Sequence, residues 1–314
     1  MGRPIRYTPE NGALYEVTLR TLQGRYLLRP DRDGHVNETV LGVLGRAQRL
    51  YGMSVIAVSV LSNHLHILLF AQSGDQLTDF MRHVATNLSK EIDRLHDWPG
   101  RLWQGRYHAI RISDEEEAQV ARLRYVLAAG VKEGLVDRGL EWPGVHSLRA
   151  ILKGQPLRGW WFNRSKEFAA RNRGRRPGRY DYATPETLHL EPLPCWCHLP
   201  EKEIRRQVRE LVREVERAAA AERRISGEES VGAGRIMAAD PHYRPEEVAS
   251  SPAPLFHAFR EQVREAMREA YGWVVAAHRA ASERLRGGDR NAEFPEGTFP
   301  PLLPFVSFAH GSPG

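Results

Sequence analysis

Ser54–Phe70 reads SVIAVSVLSNHLHILLF: two short apolar runs, Ser54 to Val60 and His64 to Phe70, parted only by Leu61, Ser62 and Asn63. That pattern predicts a tight antiparallel hairpin. In its second strand His64 and His66 stand two apart, so both side chains leave the same face and can hold one metal ion, while Leu65 turns to the core. The bland alternative is two ordinary strand histidines. With 13 His in 314 residues, a random His-x-His is expected roughly 0.5 times, so the pair gains meaning only from its surroundings.

Working outward, Leu14 to Leu22 (LYEVTLRTL) alternates apolar and polar residues as a half-buried strand does. Asn37 is placed to cap a helix to about Tyr51, with Val40, Leu41, Leu44, Ala47 and Leu50 on one face. After the hairpin, Asp75 is placed to cap a second helix whose Leu77, Phe80, Met81, Val84, Leu88, Ile92 and Leu95 recur at helical steps. Arg106 to Ile112 reads as a fourth strand. Ser113 and Glu116 then form an S-x-x-E capping box opening a helix to about Ala129, where Gly130 can stop it. Strand, helix, strand, strand, helix, strand is the split βαβ order. It predicts an α+β fold: a ferredoxin-like, RRM-like antiparallel sheet with helices on one face and the other face free to bind a ligand.

Beyond this domain, taken as residues 1–150, the signals change. Residues 151–200 read as a basic, proline-rich linker or arm. Residues 201–314 read as a mainly helical C-terminal region, with helices at Glu201 to about Arg224 and about Leu255 to Leu285. Phe256 and Phe259 fall on the apolar stripe of the second. The two helices need a partner surface, each other or the first domain. Phe294 to Phe305 (FPEGTFPPLLPF) is too proline-rich for helix and is expected to lie extended.

The chain carries 45 Lys+Arg against 39 Asp+Glu, a net +6. Asn163 to Arg179 (NRSKEFAARNRGRRPGR) holds seven basic residues and one acid, which leaves the rest balanced at 38 against 38. The run reads as a solvated linker or as a nucleic-acid contact through Arg173, Arg175, Arg176 and Arg179. No apolar stretch reaches the ~18 residues of a membrane span, and the start MGRPIRYTPENG has no apolar leader core. With two cysteines a disulfide framework is excluded, and a cytoplasmic location is expected. CWCH at Cys195 to His198 lacks the further ligands of a zinc site. VGAGR at Val231 to Arg235 lacks the strand and Lys-Ser/Thr of a phosphate loop.

Tyr125, in RLRYVLAAGVKEGLV, lies on the helix after the fourth strand. It is either a core aromatic or a hydroxyl brought to a metal held by the histidines, and the second arrangement suits phosphodiester chemistry. In LWQGRYHAI, Trp103 is either core or a platform for an unpaired base beside Arg106. Tyr107 is the second choice of nucleophile.

LSNHLHILL, LWQGRYHAI and RYVLAAGVKEGLV, in that order and separation, resemble the HUH endonucleases with a single tyrosine, specifically the transposases of small insertion sequences and REP-associated tyrosine transposases. The resemblance spans about Leu14 to Ser147. It implies His64 and His66 as ligands of a divalent metal, Mg²⁺ or Mn²⁺, with imidazole favouring Mn²⁺. It further implies Tyr125 as the nucleophile, attacking single-stranded or hairpin DNA to leave a 5′-phosphotyrosine and a free 3′ hydroxyl, with rejoining as the reverse. Arg122 and Arg124, beside Tyr125, are placed to meet the DNA backbone. DNA is the expected partner, membranes are not, and a homodimer and a monomer are equally allowed. The chain departs from the family at two points. The usual third ligand, one helical turn after the tyrosine, is Ala129, which binds no metal, and the usual Pro is Gly130. Glu117 and Glu133 are alternative donors, neither at an i+4 step from Tyr125. Ala129 thus supports a rival reading, a non-catalytic DNA-binding protein on the same fold. RNA binding is weaker, because the strands lack the aromatic pairs an RRM uses for stacking.

Overall fold

The hairpin forms in a computed structural model of the chain, which describes residues 5–246 and 254–301. β2 (Ser54–Leu61) and β3 (His64–Ala71) are antiparallel, with Leu61 opposite His64. Around them lie β1 (Ala13–Arg20), α1 (His35–Tyr51), α2 (Gly74–His96) and β4 (His108–Ile112), in the split βαβ order. β1 sits between β3 and β4 and is antiparallel to both.

The helices start where side chains can satisfy their first N–H groups. Asp31 accepts from His35 N and Val36 N at the head of α1, two residues before the expected Asn37 cap. Asn37 instead donates to the Pro143 carbonyl. Ser73, not Asp75, caps α2 by accepting from Gln76 N. On α1 the apolar stripe is buried except Leu50, which is exposed.

α1 and α2 cover one face of the sheet, burying Val40, Leu44, Phe80, Val84 and Leu88 against Val17, Leu65, Ile67 and Leu69. The second face, expected to be free, is covered over much of its area. α3 (Glu116–Leu127) lies across it, with Leu123, Val126 and Leu127 packed on Leu14, Ile56, Leu68 and Ile112. The capping box expected at Ser113 and Glu116 does not form: Glu115 is the N-cap, and the Ser113 hydroxyl donates to its carboxylate. α6 (Glu201–Ser226) backs α3 through Val208 and Val212, and Trp196 is sealed between them. This burial is the reason apolar residues occur on both parities of β2 and β3.

Residues 151–200 are not a free linker. α4 (Leu148–Lys153) leads to β5 (Leu157–Phe162), α5 (Arg164–Asn172) and β6 (Ala183–Leu188), and β5 and β6 form a separate antiparallel pair. This pair lies on α1 at backbone contact: a Cβ on Gly42 would overlap the Trp160 carbonyl, and one on Gly159 would overlap the Glu38 carbonyl. Only glycine on both sides permits that approach.

The C-terminal region is mainly helical, with α7 (Ala233–Ala238) and α8 (Glu261–Arg286) after α6. The second long helix begins later than read, because Phe256 and His257 form β7, which joins the sheet parallel to β4. Phe259, read as a stripe residue, is exposed. Residues 302–305 of the proline-rich end lie outside the described residues. Before them Gly297 O accepts from Thr8 N.

Candidate active site

β3 carries His64 and His66 on the face that α3 crosses. Their rings meet edge to face with centroids 4.8 Å apart. Asn63 Oδ1 lies 2.6 Å from His64 Nδ1. Burial, with the charges of His66, Arg20 and Lys132 adding, pushes the His64 pKa down to about 2. Its imidazole is therefore neutral at pH 7, the state a metal requires.

His66 is nearly sealed, and its Nδ1 lies 2.9 Å from Glu16 Oε1 and 3.2 Å from Thr18 Oγ1. Burial raises the Glu16 pKa, but the hydrogen bond from His66 and the positive charges of His66, Arg122 and Lys132 outweigh it and leave the carboxyl below its ordinary value. An ionised Glu16 only accepts, so Nδ1 donates to it and Nε2 is the ring atom left for another partner. That Nε2 is buried and has no hydrogen-bond partner among the described residues. The buried, unpartnered ring nitrogen of His66 beside the neutral imidazole of His64 fits a divalent ion as two of its ligands.

Tyr125 projects from α3 toward this pair. Its ring packs edge-on against His66 at 5.5 Å between centroids and is 38% exposed, so it is not a core aromatic. Gly130, at φ 89°, turns the chain after α3 and returns Lys132 Nζ to 3.2 Å from the Tyr125 ring centroid. Arg122 lies on the same ring at 5.2 Å while its Nη1 pairs with Glu16 Oε2 at 3.0 Å. Two cations thus flank the aromatic side chain.

Ala129 is fully buried in an apolar cluster with Leu61, Val131, Val136 and Trp142. Glu133 is occupied by Gly130 N and Lys132, and Glu117 is exposed on α3. Among the described residues the one trio of side chains within coordinating range is Asp31, Asp33 and His35, which belongs to the capped start of α1. Among the described residues no third His, Cys, Asp or Glu lies within coordinating range of both His64 and His66.

The remaining residues are scattered. Trp103 is buried and its indole N–H donates to the Ala85 carbonyl, so it takes the core reading and offers no open stacking face. Tyr107 precedes β4 and packs on the α1 and α2 side, away from the histidines. Arg106 is exposed, and Arg124 faces Glu214 on α6. In the basic run, Arg164 is held by Glu91 and Glu167 and Arg179 by Glu38. Arg173, Arg175 and Arg176 are exposed. Cys195 and Cys197 are free. Among the described residues no helix is long and apolar enough to cross a membrane.

Glu16 and Lys132 were not legible as site residues. Glu16 reads as the polar side of a half-buried strand, and Lys132 as one charge in a solvated turn.

Residues 29–126 match the family model described as "Transposase IS200 like", under a third of the chain, and that segment contains His64, His66 and Tyr125. The resemblance read from the motifs holds there. Among solved structures, the chain is similar to a REP-associated tyrosine transposase bound to a REP hairpin, at 18% identity over 49% of this chain and 86% of that chain, TM-score 0.39. A second is a candidate transposase from Deinococcus radiodurans R1, at 19% identity over 39% of this chain and 95% of that chain, TM-score 0.28. No curated protein matches the chain.

Proposed function

We propose that this chain is a metal-dependent, single-tyrosine DNA strand transferase of the IS200-like transposase type, acting on single-stranded or hairpin DNA. The observation that carries the reading is the packing of Tyr125 against His66, whose Nε2 is buried and unpartnered. The Tyr125 oxygen attacks a backbone phosphorus and the bond from phosphorus to the 3′ oxygen breaks. The phosphate stays on Tyr125 through its 5′ side, and the phenolic proton passes by way of water to the departing 3′ oxygen. The reverse attack by a 3′ hydroxyl rejoins the strand without a nucleotide cofactor, since the ester is retained. Lys132 and Arg122 place positive charge beside the nucleophile, where the phosphate must come. His64 and His66 would hold a divalent ion, Mg²⁺ or Mn²⁺, which would polarise the phosphate. With two protein ligands, its shell leaves room for phosphate and water oxygens.

A labelled single-stranded hairpin incubated with the protein and Mn²⁺ should give a covalent adduct. Tyr125→Phe should abolish it; an adduct of equal yield in that variant would overturn the assignment. Ala129, enclosed in apolar side chains, favours one rival, a DNA-binding protein of the same fold that does not cut. That rival predicts hairpin binding weakened by salt, with no adduct at any Mn²⁺ concentration.

A further inference from the structure

A cavity of about 380 Å³ opens on the opposite side of the sheet from His64, His66 and Tyr125, over β4 and the first turn of α2. Its size is that of a site for a small organic ligand. Alternation along β4 sends Ala109 and Arg111 to this side, and Tyr107, just before the strand, packs there too. The N-terminal segment forms one wall and is fixed there: Tyr15 Oη donates to Thr8 Oγ1, and Tyr271 Oη donates to the Ile5 carbonyl.

The lining has a marked chemistry. It includes Arg6, Arg106 and Arg111 and, among the described residues, not one Asp or Glu. Arg6 lies 4.2 Å over the Tyr107 ring and donates to Thr78 Oγ1. Arg111 lies 6.0 Å over the ring of Tyr7. Burial, with the neighbouring Arg106, lowers the Arg6 pKa although Tyr107 opposes it, as expected where cations gather without a carboxylate. Beside this charge stand the aromatic rings of Tyr107, Phe256 and Tyr271, the last two 5.5 Å apart.

We propose that this cavity seats one unpaired nucleotide of a DNA strand, its phosphate on Arg6, Arg106 and Arg111 and its base among Tyr7, Tyr107 and Phe256. Arginines without acids select a phosphate, and aromatic walls accept a base face of any sequence. A strand, rather than a free nucleotide, is favoured by position. His108 begins β4 opposite Thr18, and Thr18 also faces His66, so the rim of the cavity and the histidine pair share one end of the sheet. Exposed Arg106, two residues before His108, lines the cavity at that end. A strand leaving Tyr125 would pass Arg106 and drop a base on the far side of β4. The inference rests on the DNA-processing reading above.

The test uses the full chain and fluorescent hairpin oligonucleotides bearing 4-thiothymidine at successive single-stranded positions, cross-linked by light and mapped by mass spectrometry. One position should cross-link within residues 105–111 or 254–257. Arg6→Ala and Arg111→Ala should each weaken oligonucleotide binding about tenfold and reduce the salt slope by ~0.7, and Arg111→Lys should recover part of the loss. Thermal melts of the variants separate this loss from unfolding: equal weakening in a variant that melts as wild type supports the seat. Cross-links confined elsewhere, with affinity unchanged in both variants, overturn it. Thymidine monophosphate competing as well as the oligonucleotide would overturn the strand as occupant. The Tyr125 adduct, read on the same gel, reports on catalysis separately: an adduct without the cross-link sinks the cavity alone, and the cross-link without an adduct sinks the strand-transfer reading alone.

Discussion

The Glu16 carboxylate lies 2.9 Å from Nδ1 of His66, and both side chains are buried. The same carboxylate pairs with Arg122, one turn before Tyr125 on α3, so a single acid ties the imidazole proposed as a metal ligand to the helix of the proposed nucleophile. Glu16→Gln keeps the shape but removes the charge that fixes the tautomer. Mn²⁺ affinity measured by calorimetry should fall by about 10- to 100-fold. Unchanged affinity would show that His66 needs no such partner.

Ala129 stands where the resemblance leads one to expect a third metal ligand, and it is fully buried. Ala129→Asn should tighten Mn²⁺ binding by about tenfold and raise the adduct yield. Because the site is apolar, the same change should cost about 1–3 kcal/mol of stability in urea melts. Lost stability with no gain in affinity would overturn a ligand role for this position.

His146 gives a stability signature in pH. Burial pushes its pKa down to about 4, and its Nδ1 accepts from Leu148 N, which a protonated ring could not do at that nitrogen. The unfolded value is near 6.5, so the neutral form favours the native state. Its full contribution is present above pH ~6.5 and is lost progressively as pH falls to about 4, for a total of about 3 kcal/mol. Urea melts at intervals from pH 7 to 4 should show the decline, and His146→Gln should flatten that part of the curve.

Gly42 lies where α1 touches β5. Gly42→Ala places a methyl group into the Trp160 backbone, and should lower stability by at least about 2 kcal/mol. An unchanged melting temperature would mean that β5 and β6 are not held to α1 as described.

The basic run divides by its contacts. Replacing the exposed Arg173, Arg175 and Arg176 with Ala should reduce the slope of log affinity against log salt for single-stranded DNA by about 2. Arg179→Ala breaks its pair with Glu38 and should lower stability by about 0.5–1 kcal/mol instead. A triple variant with the wild-type slope would leave these three arginines as solvated charges only.

The βαββαβ order was legible because each element carries its own period: the hairpin between Ser54 and Phe70, and the seven-residue stripe of α2 from Leu77. His64, His66 and Tyr125 were singled out by motif, and all three lie within the family match over residues 29–126. What local pattern could not show is what a distant segment does. The packing of β5 on α1 depends on Gly42 and Gly159, more than a hundred residues apart and unremarkable in either local pattern. Phe256 fits a helical stripe as well as a strand, and only the open side of β4 decides between them. Trp103 needed its contact with Ala85 of α2, and Glu16 the covered second face and the sheet register, before burial and partner could be assigned.

β7 is two residues long, yet it changes what can be done with the N-terminal half alone. Arg111 N donates to the Leu255 carbonyl and Ser113 N to the His257 carbonyl, so the outer side of β4 is bonded to a segment far along the chain. A fragment ending near residue 150 would present those N–H groups as an open strand border, a template for pairing with another copy. Such a fragment should self-associate on concentration where the full chain does not, so the half of the molecule that bears the histidines and the tyrosine depends on its distant C-terminal segment for solution behaviour.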